Sequence, residues 1–477
     1  MIVSGLGLPE PAPTGARALL RLSFPKMTSL LLALVVCVIA PASLIVVHVA
    51  ENPMFSPIDE AAHYDYVDWA ASGHLPKLGD FLLPSTLRTI SCVGIALHGL
   101  VTPPCNVSVL NPLNYPGGGY QYEAQQPPLY YAVTAALRWV PAHLASLSQL
   151  DATRLAGIIW LACGLLLLWG AGRLLGLTVS RVSLGVLLLA AAPVVLYETS
   201  IVSDEASAIF AGALVTFMGA LAWQHRSRWM VPALCIVGFL VCLMAEINVF
   251  AVTVVAVLFL LLGFSDRRAL EESSELASWR SPSWYWIRRA VALLFGGGLA
   301  IVLWLVAFRA RSLINPVDLA SLNVQRVGPM GVSKLGDEAL SLLTPLTNSY
   351  DAYRSSAAGT TAESFLSQNL QVAISTVLTF VVLGGALSGL FVRPRQWSHW
   401  VGLVALPVLY VGGFAFGFSS WLTYNADPGL VSRYGLAVAP LLILGLVASL
   451  RGRFWVGALW LFAVASFGLS FYFMLAA

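Results

Sequence analysis

Five ionisable side chains crowd into ten residues near the start of the chain, directly after its first long apolar run. They lie within residues 52–73, NPMFSPIDEAAHYDYVDWAASG, and are Asp59, Glu60, His63, Asp65 and Asp68. Only 10% of the residues in the chain are charged, so a cluster of this density needs a reason. Carboxylates beside a histidine can move protons during group transfer. We therefore predict a catalytic site in this stretch, centred on Asp59 and Glu60.

A simple helix start would also explain Asp59. Ser56 is a good N-cap, Pro57 suits the first helical position, and an acid three residues after the cap favours the positive end of the helix dipole. Such a helix would end at Gly73. It would also carry more polar side chains on or near one face than capping requires, namely Glu60, His63 and Tyr66.

A second acidic pair, Asp204 and Glu205, separates two apolar runs in the stretch ETSIVSDEAS. Ionisable residues at the ends of membrane helices are costly and therefore indicate function. The alternative is again capping, because Ser203 could begin the next helix. Function is favoured for Asp204, and both alternatives stay open for Glu205.

Three arginines lie where the topology below predicts the outer side of the membrane. They are Arg433, in the stretch DPGLVSRYGLAVAP, and the pair Arg309 and Arg311. A guanidinium group matches a phosphate with two parallel hydrogen bonds, so all three are candidates for binding a donor phosphate. For Arg309 and Arg311, snorkelling into the lipid headgroups is an equal alternative.

The composition decides which elements position these residues. The 477-residue chain is 58% hydrophobic and has a mean hydropathy of +0.80. Its apolar runs are continuous and do not alternate, which predicts an all-α polytopic membrane protein and excludes a barrel. About 11 transmembrane helices are expected, near residues 28–49, 154–174, 182–200, 204–223, 229–245, 247–264, 288–308, 371–391, 397–418, 433–450 and 453–474.

Arginine pairs at alternate ends of these runs predict a plasma-membrane protein with a cytoplasmic N-terminus. Residues 1–477 then form a single transmembrane domain with two extracytoplasmic loops, 50–153 and 309–370. The apolar segment 128–147 is expected to be a helix on the outer surface, since inserting it would reverse every later loop. An amphipathic helix is expected near residues 334–346 of the second loop.

Other motifs limit the chemistry. The chain has no Walker-type phosphate loop, no CxxC and no HExxH, so ATP-driven pumping is not expected. Cys92 and Cys105 lie in the first outer loop and would form a disulfide in an oxidising compartment, with two free thiols as the alternative.

Four stretches resemble motifs of the GT-C superfamily of integral-membrane glycosyltransferases. SPIDEAAHYDY resembles the acidic signature of its first outer loop, and QQPPLYY resembles a later element of that loop. SIVSDEASAIF is similar to the second acidic motif, and VSRYGLAVAP to a late Arg-Tyr element of one branch. The four stretches occur in the expected order and span most of the chain.

This resemblance implies a GT-C-like fold and a polyprenyl-phosphate-sugar-dependent glycosyltransferase. The enzyme would move a sugar, with inversion, to a glycan, glycolipid or protein acceptor of the bacterial cell envelope. Asp59 would be the general base, and Glu60 and Asp204 would support it or bind donor or metal. A divalent metal ion is an open question, membrane lipids are expected partners, and nucleic acid is not.

Two other function classes remain open. A glycolipid transporter or flippase would require ionisable residues at the bilayer midplane and repeat symmetry, and neither is clear in this chain. The other class is a non-catalytic scaffold of an envelope complex, or a ligase or polymerase of another membrane class. A polymerase-type enzyme would concentrate its functional residues in a late loop, whereas the acid-rich motif here is early.

Overall fold

In the computed structural model, the described residues form helices, short turns and two isolated bridges, with no strand among them. The described residues are 27–57, 59–97, 100–225, 227–271, 282–314, 332–347, 362–388, 391, 397–424 and 429–476. The predicted cytoplasmic segment 1–26 and most of the predicted second outer loop lie outside them. The expectation of an all-α polytopic membrane protein is confirmed at this level.

Sixteen helices are described, and we number them in chain order. They are α1 (Met27–Glu51), α2 (Glu60–Ala71), α3 (Pro84–Val93), α4 (Leu129–Leu144), α5 (Gln149–Leu174), α6 (Val179–Ala190), α7 (Pro193–Ser200), α8 (Ala208–Gln224), α9 (Met230–Met244), α10 (Val249–Glu271), α11 (Pro282–Arg311), α12 (Val332–Ser341), α13 (Ala362–Ser388), α14 (Trp397–Tyr424), α15 (Ala439–Ser449) and α16 (Arg453–Ala476). Short 3₁₀ turns precede α8, α10 and α15 at Asp204–Ser207, Glu246–Asn248 and Ser432–Val438.

Nine helical stretches of the described chain are long and apolar enough to cross a membrane, or ten with one bent pair. The predicted count of eleven is therefore not reached. The predicted span 182–200 is the bent pair, because α6 and α7 meet at 63° where Pro193 cannot continue the α6 hydrogen-bond ladder. The predicted span 229–245 is α9, which has only 15 residues.

Small residues let the helices of the bundle approach closely, as is usual in membranes. A Cβ atom on Gly157 of α5 would lie 1.8 Å from the carbonyl oxygen of Thr199 in α7. A Cβ atom on Gly212 of α8 would lie equally close to the carbonyl oxygen of Ala437, in the turn before α15. These contacts bring the irregular segments around residues 200–207 and 432–438 against α5 and α8.

The segment 50–153, which the sequence predicts to be the first outer loop, folds into a small core of its own beside the bundle. Helix α2 packs on α3 and α4, and α4 packs on α5. The core is aromatic and includes Phe55, Tyr64, Tyr66, Tyr130, Tyr131 and Trp160. A disulfide joins Cys92 to Cys105, whose Cα atoms are 4.4 Å apart. The segment 128–147 contains a helix, α4, whose expected place on the outer surface stays a prediction, and the helix expected near 334–346 is α12, which ends earlier, at Ser341.

The contact at Gly212 generates a stability prediction. The substitution Gly212→Ala places a methyl group inside the van der Waals radius of a backbone oxygen, so the free energy of unfolding should fall by about 1–3 kcal/mol or more. Thermal unfolding in detergent measures this loss. The matched control is Gly457→Ala in α16, where no atom lies within 4 Å of the new Cβ. Equal melting temperatures for the two variants would contradict the close packing.

Candidate functional site

Asp59 lies just before α2 with an exposed side chain and a left-handed backbone, φ +53°. Because this conformation does not fit within a helix, α2 begins at Glu60 and not near Pro57. The predicted N-cap, Ser56, instead donates its backbone N–H to the Glu60 carboxylate at 2.6 Å. The Asp59 side chain makes no capping hydrogen bond. Capping therefore does not explain Asp59.

The Tyr122 hydroxyl holds the Asp59 carboxylate by donating to Oδ1 at 2.8 Å. Burial raises the pKa of Tyr122 well above its ordinary value, and the charge of Asp59 raises it further, so Tyr122 stays a neutral donor. Among the described residues, Oδ2 of Asp59 has no hydrogen-bond donor. One oxygen is thus anchored while the other is open to a ligand. A left-handed backbone conformation is uncommon in residues other than glycine, and residues that adopt it occur preferentially at functional sites.

Glu60 is fully buried and both of its oxygens are occupied. Arg154 of α5 donates from Nε to Oε1 and from Nη2 to Oε2, each at 2.7 Å. The backbone N–H groups of Ser56 and Val202 donate to the same carboxylate at 2.6 and 3.0 Å. These contacts hold the Glu60 carboxylate in place and suit a positioning role, while the catalytic role expected from the sequence stays a prediction.

His63, one turn into α2, is buried among acids. Its Nδ1 is 2.8 Å from the Tyr131 hydroxyl, and its Nε2 lies 3.9 Å from Asp204 Oδ1 and 4.0 Å from Glu123 Oε1. Burial lowers the pKa of His63, although the nearby carboxylates oppose that effect. Burial likewise raises the pKa of Glu123 well above its ordinary value, and the charges of Asp59 and Glu205 raise it further.

Glu205 and Arg433 form the other half of this acidic cluster. The Arg433 Nε lies 3.3 Å from Glu205 Oε1 and 3.7 Å from Glu198 Oε1. Ser203 caps the turn by accepting the backbone N–H of Glu205, and it donates its hydroxyl to the second oxygen of the Glu205 carboxylate. Arg433 is buried and within electrostatic reach of Asp59. Its charge therefore compensates two carboxylates.

The three remaining candidate residues, Tyr66, Arg309 and Arg311, differ in what they contact. Tyr66 is buried and stacks on Tyr131 with ring centroids 3.8 Å apart, so it supports the site through packing. Arg311 binds the backbone carbonyl oxygens of Leu75 and Pro76 at 2.6 and 2.9 Å. Arg309 is exposed on the last turn of α11. No contact among the described residues joins either arginine to the acidic cluster.

The cluster fits a divalent cation. Ligand atoms of His63, Asp204 and Glu205 all lie within 4.8 Å of one another. The gaps of 3.9 and 4.0 Å around His63 Nε2 are too long for hydrogen bonds, and Oε2 of Glu123 is buried without a partner in the described chain. Several carboxylates and one imidazole form a donor set suited to Mn²⁺.

Sequence reasoning missed five residues that shape the site: Tyr122, Glu123, Tyr131, Arg154 and Glu198. Glu198 could have been identified from the sequence, since it lies inside a predicted span, where an ionisable residue has a high free-energy cost. Arg154 is the first residue of a predicted span, and a charged residue at the end of a membrane helix does not by itself indicate a site. Tyr122 and Glu123 lie in a loop rich in turns, where no periodic pattern marks which side chains face the site, and Tyr131 lies in the first turn of α4.

The ion pair of Glu60 generates a second prediction. The substitution Glu60→Gln removes the negative charge and leaves Arg154 buried without compensation, so about 3–5 kcal/mol of stability should be lost. Chemical unfolding in detergent measures it. Asp68→Asn is the matched control, because Asp68 and its partner Arg138 are more exposed than Glu60 and Arg154 and should lose less. Equal losses would contradict a special role for the buried pair.

The cation fit generates a third prediction. Mn²⁺ should raise the melting temperature of the wild-type protein, because a ligand at a hundredfold excess over its dissociation constant stabilises by about 2.7 kcal/mol. His63→Ala should abolish the shift, and EDTA should reverse it. His143→Ala, which changes an exposed histidine of α4, is the control. A shift that survives His63→Ala would place the ion elsewhere.

No protein-family model matches this chain, and no curated protein matches it in sequence.

Proposed function

We propose that this chain is an inverting glycosyltransferase that moves a sugar from a polyprenyl-phosphate donor to an acceptor outside the plasma membrane. The observation that carries the proposal is the state of Asp59. Its carboxylate is exposed, is anchored through one oxygen by Tyr122 and leaves the other oxygen open. It also borders a buried acidic cluster next to a helical bundle with an apolar exterior. The resemblance of four stretches to GT-C motifs agrees with this assignment.

The reaction assigned to Asp59 is proton removal from an acceptor hydroxyl. As the hydroxyl oxygen attacks the anomeric carbon of the donor sugar, Oδ2 of Asp59 takes its proton. The bond between that carbon and the phosphate oxygen breaks, and its electron pair leaves with polyprenyl phosphate. Attack on the face opposite the leaving group inverts the configuration. A base fixed through Oδ1 loses little orientational freedom in this step.

The leaving phosphate gains negative charge, which a cation must stabilise. Arg433 is already paired with Glu205 and Glu198, so it would have to exchange a carboxylate for the phosphate. A divalent ion held by His63, Asp204 and Glu205 would supply positive charge at the same place when bound. The chain's own contribution is to hold these three side chains together through α2 and the turn before α8.

The lipid part of the donor requires an apolar surface beside the site. Helix α11 presents large exposed side chains along its length, including Val302, Leu303 and Val306. Arg309 follows them on the last turn of the same helix and is exposed. A prenyl chain lying along α11 would bring its phosphate to the depth of Arg309. This arrangement favours Arg309 over Arg311 as a donor-phosphate contact, because Arg311 already binds loop carbonyls.

A transporter of lipid-linked sugars is the second candidate. The observation in its favour is the cluster of Glu198, Glu205 and Arg433, which is buried between membrane helices. Such intramembrane charges can line a substrate path. A transporter would carry the lipid-linked sugar across without breaking its glycosidic bond, so only the enzyme releases free polyprenyl phosphate. A non-catalytic envelope protein would do neither.

The fourth prediction tests the base. Asp59→Asn keeps the size of the side chain but removes its basic oxygen, so sugar transfer should fall by about 10²–10⁴-fold. The measurement is release of polyprenyl phosphate from a radiolabelled polyprenyl-phosphate sugar in proteoliposomes. Glu51→Gln, an exposed carboxylate at the end of α1, is the control and should retain activity. Wild-type turnover in Asp59→Asn would refute the assignment of the base.

A further inference from the structure

A cleft of about 680 Å³ opens between the C-terminal end of α2 and the last turns of α11. The chain that follows α2 forms its third wall. The side chains that give the cleft its character are Trp69, His74, Lys77, Asp80, Trp304 and Arg311. None of them belongs to the acidic cluster around His63, so the cleft is a separate site.

Two indole rings line the cleft. Trp304 donates its Nε1–H to the backbone oxygen of Gln125 at 2.7 Å, which fixes that ring. The Nε1–H of Trp69 is buried and has no hydrogen-bond partner among the described residues. A buried donor without an acceptor is unfavourable, so an oxygen-rich ligand at Trp69 would relieve it. Trp304 is buried in a hydrophobic cluster, so of the two rings Trp69 is the one that can offer a flat face to the apolar C–H groups of a sugar ring.

The charges of the cleft are mainly positive. Arg311 uses Nη2 for the carbonyl oxygens of Leu75 and Pro76, while its Nε and Nη1 have no hydrogen-bond partner in the described chain. Lys77 is exposed. The one acid, Asp80, already accepts the backbone N–H of Lys77 at 2.7 Å. A guanidinium beside an ammonium group favours an anion, and the guanidinium can bind a carboxylate or phosphate through two hydrogen bonds.

One wall of the cleft packs against the residue that holds the proposed base. Tyr122, which anchors Asp59, packs against the cluster formed by Leu78, Trp304 and Phe308. Asp59 and Trp69 lie at opposite ends of α2, about 15 Å apart by the rise of a ten-residue helix. An extended ligand could therefore occupy the cleft with one part while another part reaches Asp59.

We propose that this cleft binds the acceptor, and that the acceptor is a saccharide chain bearing a carboxylate or phosphate group. Calling the ligand an acceptor rests on the proposed transfer reaction, but binding of the saccharide does not require turnover. A saccharide fits better than an acidic peptide. Peptides are commonly bound along unpaired backbone, whereas here the carbonyl oxygens of Leu75 and Pro76 already accept from Arg311.

Calorimetric titration of the full chain in detergent tests the proposal with four probes: tetragalacturonate, 6-phosphomaltotetraose, neutral maltotetraose and tetraglutamate. The Asp59→Asn background prevents turnover. At least one anionic saccharide should bind about tenfold more tightly than maltotetraose. Whichever of the two anionic saccharides binds more tightly identifies the preferred anion as a carboxylate or a phosphate. Arg311→Gln and Lys77→Gln should each weaken that binding, and raised salt should weaken it further.

Two variants separate specific binding from damage to the fold. Trp69→Phe keeps an aromatic ring but removes the unpaired N–H, so affinity should fall without a change in melting temperature. Arg88→Gln removes an exposed positive charge elsewhere in the same outer loop and should leave affinity unchanged. The proposal is overturned if neither anionic saccharide binds more tightly than maltotetraose, if tetraglutamate binds as tightly as they do, or if Arg88→Gln weakens binding as much as Lys77→Gln does.

The outcomes also separate this inference from the proposed function. Loss of transfer in Asp59→Asn together with no saccharide binding in the cleft would leave the enzyme standing and remove the acceptor site. Saccharide binding that depends on Arg311 and Lys77, together with full transfer by Asp59→Asn, would leave the binding site standing and remove the base.

Discussion

The buried pair of Glu60 and Arg154 is the interaction on which the arrangement of the candidate site depends. Arg154 also donates to the backbone oxygens of Asn52 and Met54 at 2.6 and 2.7 Å, while Glu60 accepts from the backbone of Val202. One ion pair thus joins the end of α1, the start of α2, α5 and the segment before α8. Asp59, with its left-handed backbone, directly precedes the fixed residue Glu60.

Irregular backbone is tolerated at the edge of the membrane bundle because it is buried and its charges are paired. Two 3₁₀ turns, Asp204–Ser207 and Ser432–Val438, bring Glu205 and Arg433 together. Non-helical backbone within a membrane survives only where it is buried in protein, and both turns are buried. The close approach at Gly212 seals the second turn against α8. Packing and charge compensation therefore stabilise the same place.

Apolar runs predicted the positions of the membrane helices well, because hydropathy acts locally and needs no knowledge of partners. They did not predict that the span 182–200 is bent at Pro193, because mean hydropathy does not register where a proline interrupts the helical hydrogen bonds. The acidic stretch also predicted the right helix, but with the wrong start, and it gave no sign of the partner that Glu60 binds. Its partner Arg154 lies 94 positions away, a distance at which a single sequence gives no pairing information.

The length of α2 has a functional consequence. One end of this helix carries Asp59, and the other end carries Trp69 at the wall of the cleft. Because a helix is stiff and Glu60 pins its first turn, the spacing between base and cleft cannot adjust to the ligand. Under the proposed reaction, an acceptor must therefore match that spacing before its hydroxyl reaches Asp59. Selection among acceptors would then come from chain length and charge as well as from the chemistry at the reacting hydroxyl.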